Sequence, residues 1–531
     1  DLDHANTLEV GPDGVARLTT RPSAAPGTVV VSGTAGNPAR INADRVQVTG
    51  GQVIVENAAI SATGNQTQVL LQATQGAAAV SNSTANLANL AGIGGLLRIR
   101  GAGVAVEQSQ IRLTGSTTGQ VQIESRAQGA ALGTALSGLE DGITAEIAVG
   151  NTTIADSQIS VELGADIGAT GPIVTGQVDI LGPGQVLIAS SDIAANQVRI
   201  GGDFQGQGEV VTAQDTIVDA SSTISTLLSP FAAHANLPLS SDSPQSPSAN
   251  PGRVIIWADD KTRFLGYLHN PAGFAEVSGK NELDLGLNWF SRIQTGELLL
   301  DPNDIVIAPG SGTAVSGNPT NANTLYADSI STFLETSDLT IQTTGTGGNG
   351  DITVNGALSW SANQLALYAD RNIQINADLA ITGTGSVRMA FGQGTTDGSG
   401  ATYTVANGVS IKIPLPTGSQ TTATSAFTWQ QGSAGTVNQL VFNNGYLAFG
   451  TGSHQRDSAA NTSAVNPQGL LTQPNYFDNV TAGRNAYYKL TYSSYPLNLE
   501  IGTGTGGPRW NGNTTFASTQ GGTYTPQAGG Y

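Results

Sequence analysis

The chain of 531 residues has no cysteine, a single methionine, and only 11% charged and 5% aromatic residues. Without cysteine, neither disulfides nor thiolate metal sites are available, and stability has to come from hydrogen bonding and apolar burial. The scarcity of charge argues against a helix-rich enzyme with a surface of Glu and Lys. The four histidines, His4, His234, His269 and His454, all lie in turn-like or irregular sequence, which leaves histidine-based nucleophilic catalysis poorly supplied. No HxxH or HExxH spacing points to zinc. With 21 Lys and Arg against 39 Asp and Glu, the formal charge of −18 opposes nucleic acid or an anionic membrane as a partner. No window approaches eighteen uninterrupted apolar residues, the length of a membrane-spanning helix. The opening DLDHANTLEVGPDG lacks the basic and apolar regions of a signal peptide, which reads as an interior or processed piece of a longer chain.

What the chain does have is 69 glycines among Thr, Ser, Asn, Gln and Ala, and short runs of Val, Ile and Leu spaced by turn residues. Four segments between residues 28 and 226 share a pattern. Two apolar or β-branched positions two residues apart (Val53 and Val55, Val104 and Val106, Thr152 and Ile154, Val186 and Ile188) are followed by Ala or Ser and then Ile (Ala58 and Ile60, Ser109 and Ile111, Ser157 and Ile159, Ser191 and Ile193). Period-two spacing puts each pair on one face, and the Ala or Ser with its polar neighbours makes a corner. The second member of each pair falls at 55, 106, 154 and 188, so the intervals are 51, 48 and 34 residues, read as about two coils apiece. The expected fold is all-β, a β-solenoid forming a rod on the order of 100 Å long if most of the chain coils at about 4.8 Å per turn.

Four segments follow from this pattern. Residues 1–226 are coils, and 227–252, with prolines at 230, 238, 244, 247 and 251, form a protruding loop that cannot donate to a ladder at those positions. Coils resume over 253–452. Residues 453–531 are an irregular C-terminal capping or interaction segment, containing a Tyr-rich strand pair in AYYKLTYSSYPLNLEIG. Candidate partner contacts are Pro230, His234, Pro238 and Asp242 in the loop, and Tyr487, Tyr488, Tyr492 and Tyr495 in the strand pair.

Several motifs in fixed order carry a resemblance over about Gln197 to Gly394. They are VRIGGDFQGQGEV, VDASSTI, GRVIIWADDKTRFLGY, GFAEVSGK and LLLDPNDIVI, and then GNGDITVNGALSWSANQLALYADRNIQINADL. Together they resemble the filamentous haemagglutinin-like exoproteins that diderm bacteria release by two-partner secretion. The resemblance implies a right-handed parallel β-helix, export through an outer-membrane partner barrel, and a secreted or cell-surface adhesin. Family members carry an amino-terminal secretion domain with an NPNG-type motif. Here only NPAR (37–40), NPAG (270–273) and NPQG (466–469) occur, outside that context, so the sequence reads as lacking the secretion domain and the route is an expectation from the remainder.

Other chemistry is weakly supplied. Glu140 with Asp141, Asp259 with Asp260, and Asp301 with Asp304 are the carboxylate pairs that a polysaccharide-active β-helix would need. Adjacent acids face opposite sides of a strand, so Asp259 and Asp260 share a site only if they sit in a turn. The DPND run reads as a turn in which Asp bonds its own backbone, and it lacks the DxDxDG spacing of a calcium loop. Trp257 and Trp360 lie in apolar runs and are expected to be packed. No catalytic residue, cofactor or metal is called for. The expected function is a non-enzymatic extracellular shaft that attaches to a protein or glycan on a host or neighbouring cell. The alternatives are a filament subunit associating through rod ends, a capture protein for a host molecule such as a haem carrier, as some family members are, and a polysaccharide-active enzyme.

Overall fold

The computed structural model describes residues 27–126, 148–163, 175–226, 251–311 and 323–391 apart from 90–94, 116–117, 346 and 383–384, and elsewhere short pieces, mainly single strands from Ala5–Val10 to Tyr495–Thr503. These residues are mostly β-strand, paired chiefly in parallel in a solenoid-like winding. The chain divides into two compact units, Asp1–Gly279 with Arg292–Gly296, and Lys280–Ser291 with Glu297–Tyr531.

In the first unit each coil contributes one strand to each of three parallel ladders. Residues Arg45–Gly50, Gln68–Ala73, Gly95–Gly101, Thr118–Ser125, Thr175–Leu181, Gln197–Ile200 and Arg253–Ala258 form the first, in register. The second ladder runs from Thr28–Ser32 to Lys261–Phe264, and the third from Ala39–Asn42 to Tyr267–His269. Alternation decides what is buried. In the first ladder Val46 and Val48 begin inward columns that continue through Val121 and Ile123, Val178 and Ile180, to Val254 and Ile256. A parallel ladder satisfies its backbone through the coils above and below, so each coil needs only a few aliphatic residues.

The pairs read from the sequence stack as expected: Val53 and Val55, then Ala78 and Val80, Val104 and Val106, Thr152 and Ile154, Val186 and Ile188 are in-register partners in the second ladder. The coil count differs. The 51-residue interval does hold two coils, but Val106 pairs directly with Ile154, and Ile154 with Ile188. Each of the 48- and 34-residue intervals is therefore a single coil with extra chain between ladders. Interval length measures coils only where no excursion leaves the ladder.

The corner between second and third ladders explains the Ala or Ser. At each corner one residue adopts a positive φ of 45–48° (Asn57, Asn82, Gln108, Asp156, Ser190). Ala58 follows the first; at the other four the next residue is a buried serine, whose hydroxyl accepts from the backbone of the coil below: Ser83 N–H to Ser109 Oγ, Ser109 N–H to Ser157 Oγ and Ser157 N–H to Ser191 Oγ, each at 3.1 Å. Each hydroxyl also donates to a carbonyl two residues back, as Ser157 Oγ does to Ala155 at 2.7 Å. The column ends at Ser222, whose hydroxyl donates to Asp219 at 2.6 Å. Ser157→Ala would leave the buried Ser109 amide unpaired, so urea denaturation is expected to show a loss of about 1–3 kcal/mol.

The second unit repeats the scheme with different residues. Leu298 and Leu300 stack on Leu339 and Ile341, then Leu365 and Leu367, then Val387 and Met389. Ile305 and Ile307 stack on Ile352 and Val354, then on Ile373 and Ile375. The unit also contains a helix, Ala327–Phe333, within a stretch read from the sequence as strands. Ile330, Phe333 and Leu334 are all buried, with Phe333 against Trp289 at 5.0 Å between ring centres. That i, i+3, i+4 apolar spacing in YADSISTFL is the signal that marks it.

Candidate interaction surface

Alternation that turns Val and Ile inward turns Gln, Arg and carboxylates outward on the first ladder, where side chains from successive coils meet in columns. Arg98 Nε donates to Gln122 Oε1 at 2.6 Å, and Arg100 donates to both Glu124 carboxylate oxygens at 2.7 and 2.8 Å. Higher in the stack the columns become a closed network. Asp179, with no exposed side-chain area, accepts from Gln120 at 2.9 Å, from Gln177 and from Arg199 Nε at 2.7 Å. Arg199 reaches on to Asp203 at 2.7 Å. Burial alone would lower the Arg199 pKa, but the hydrogen bonds and charges of Asp179 and Asp203 outweigh it, and the guanidinium is held charged above its usual value.

Asp203 begins an excursion between the first and second ladders that lies over this face. Its carboxylate accepts from the Phe204 amide at 2.8 Å, and the fully buried Glu276 accepts from the Gln205 amide at 3.1 and 3.2 Å. Those bonds fix Gln205 at φ 53° and Gly206 at φ 63°, where a Cβ on Gly206 would lie 2.6 Å from the Trp257 ring. The turn presents Phe204 edge-on to Phe274, with ring centres 5.9 Å apart, and the exposed Arg253 guanidinium sits 5.0 Å from each ring. Trp257 is buried below, its Nε1 donating to Asp259 at 3.3 Å, and Thr212 Oγ1 donates to the other Asp259 oxygen at 2.5 Å.

The residues proposed from sequence fare unevenly. Pro230, His234, Pro238 and Asp242 lie outside the described residues, as do Glu140, Asp141, His4 and His454. Tyr487 and Tyr488 lie on strand Tyr487–Tyr492, which Tyr492 ends, and Tyr495 begins the strand that pairs with it antiparallel. Tyr495–Thr503 in turn joins the ladder beside Ser386–Phe391. The strand pair is therefore as expected, on the backbone alone. Asp259 and Asp260 do sit in a bend after the strand. Trp257 and Trp360 are packed, 3% and 1% exposed. His269 is held below its usual pKa by burial, only partly offset by a hydrogen bond with Gln294.

The DPND run follows the end of strand Ile293–Leu300 and bends at Asn303, as expected of a turn, but its second acid bonds elsewhere. Asp304 bonds not its own backbone but the turn of another coil, accepting from Asn349 and Asp351 amides at 3.0 and 2.8 Å. Asp301 is 1% exposed. Among the described residues no group of three or more His, Asp or Glu is placed to hold a metal ion.

Arg253, Phe204, Asp179 and Glu276 were not singled out from the sequence. The available signal was DFQGQGE, where an aromatic and two acids crowd three residues that can take unusual backbone angles. Neither a scan against protein-family models nor a search of curated proteins matches this chain.

Proposed function

We propose that the chain is a non-enzymatic extracellular shaft, a right-handed parallel β-helix of the filamentous haemagglutinin-like kind, that attaches a diderm bacterium to a protein or glycan on another surface. On this reading it leaves the cell through an outer-membrane partner barrel. The observation that supports it is the outward face of the first ladder. Its polar side chains are tied to the coils above and below, which suits a stiff surface for display rather than a cleft that moves around a substrate. The loop 227–252 and the tyrosine strand pair are the proposed contacts, and the motif-rich stretch after the loop supplies the shaft.

Beads coated with the purified chain should attach to cultured epithelial cells or to extracellular matrix. A chain lacking 228–250 should keep its β-sheet circular dichroism and lose most of that attachment. No attachment to any surface, or release of reducing ends from a polysaccharide by the purified chain, would overturn the reading.

A further inference from the structure

On the first ladder Arg100 is neutralised by Glu124 of the next coil, and Arg199 by Asp179 and Asp203. Arg253 is exposed, and among the described residues no carboxylate pairs with it. Its guanidinium stands instead 5.0 Å from the centres of two half-buried rings, Phe204 and Phe274. The two acids that shape the Phe204 turn are committed elsewhere. Asp203 accepts from Arg199 and the Phe204 amide, and the buried Glu276 accepts from the Gln205 amide. With Gln205 and Gly206 at positive φ and Gly206 close against the Trp257 ring, Phe204 cannot leave Arg253 without breaking the bond from Gln205 to Glu276. An arginine held between two fixed rings has already lost rotamer freedom that binding an anion would otherwise cost. Along the ladder Gln197 is its partner one coil before and Phe274 one coil after. All three face outward, since Val198, Val254 and Ala275 are the buried residues of the alternation. A carboxamide, a guanidinium and an aromatic ring therefore follow one another at about 4.8 Å per coil.

We propose that Arg253, with Gln197, Phe204 and Phe274, binds the carboxylate-bearing ring of an acidic sugar. The planar guanidinium donates two parallel hydrogen bonds to the carboxylate, the pairing for which its fork is shaped. The rings offer an apolar surface to the C–H face of the sugar, and the Gln197 carboxamide meets a hydroxyl. A single carboxylate suits the place better than a dianionic phosphate or a heavily sulfated chain, because two acids share the turn and the chain carries a charge of −18. Uronate and sialyl residues share this chemistry. The site belongs to the shaft itself and does not depend on the contacts proposed for loop 227–252 and the tyrosine pair.

Calorimetry and saturation-transfer NMR of the full chain with sialyllactose and with an oligogalacturonate test the site, with lactose and a neutral galactose oligomer as counterparts. At least one acidic sugar should bind, and which one does identifies the source of the carboxylate. Its neutral counterpart should bind about tenfold or more weakly, the loss of a charge-assisted hydrogen bond. Arg253→Gln should weaken the acidic sugar by about the same tenfold or more and leave the β-sheet circular dichroism unchanged. Phe204→Leu should weaken it less, and it decides the matter if Arg253→Gln does not fold. A chain lacking 228–250 should bind the sugar as the parent does, which tells a failed attachment assay from a failed sugar site. Absence of binding by both acidic sugars, equal binding of acidic and neutral sugars, undiminished affinity in the variants, or loss of binding on deleting 228–250 would overturn the proposal.

Discussion

Ile123→Asp is expected to abolish the ordered core of the first unit, with loss of protection in the strands on either side, Gly95–Gly101 and Thr175–Leu181. Ile123 is fully buried in an inward column, in register with Ile99 and Ile180. Removing a buried isoleucine costs about 2–5 kcal/mol. Burying an unpaired carboxylate adds several more, against a typical domain stability of about 5–15 kcal/mol. The adjacent Gln122 faces outward, where it accepts from Arg98. Gln122→Glu should therefore change stability by less than about 0.5 kcal/mol. The contrast follows from strand alternation, since one step along the chain exchanges core for surface. Urea titrations of the two variants, with hydrogen exchange, would show it.

Arg199→Leu is expected to cost about 3–5 kcal/mol, because it leaves the buried Asp179 carboxylate without its cation. It also frees Asp203, so the Phe204 turn should lose protection along with the ladder. The double variant Arg199→Leu with Asp179→Leu should recover most of the loss, because no unpaired charge then remains inside. A single-variant loss below about 1 kcal/mol, or no recovery in the double variant, would show that the network is not what holds this face.

Much of the winding was legible in the sequence because a parallel ladder repeats the same demand on every coil. Val104 and Val106, then Ser109 and Ile111, reappear in other coils because each must face its partner above and below. The serine's corner role was visible, while the positive φ before it was not, because Asn, Gln, Asp and Ser all fill that position and share only their polarity. Coil number was misread at Val106 to Ile154, where chain length entered an excursion rather than a ladder. The helix Ala327–Phe333 was missed because its apolar residues continue the aliphatic rhythm of the strands around it. The outward face was the least legible part. Arg199, Asp179 and Glu276 lie far apart in sequence and meet only once the register is set. Asp301 looked like ordinary turn chemistry until its burial was known.

The register of the coils can be tested with an engineered disulfide, cleanly because the sequence has no cysteine of its own. Gln110 and Gln158, 48 residues apart, are direct partners in the third ladder, with their amides 3.1 Å from each other. Neighbouring parallel strands lie about 4.8 Å apart, within the roughly 7 Å between Cα atoms that a disulfide tolerates. Gln110→Cys with Gln158→Cys should oxidise readily to an intramolecular disulfide in the folded chain. Gln110→Cys with Asp192→Cys, two coils apart because Asp192 pairs with Gln158, should not. If the second pair closes and the first does not, the coils are not wound in this register.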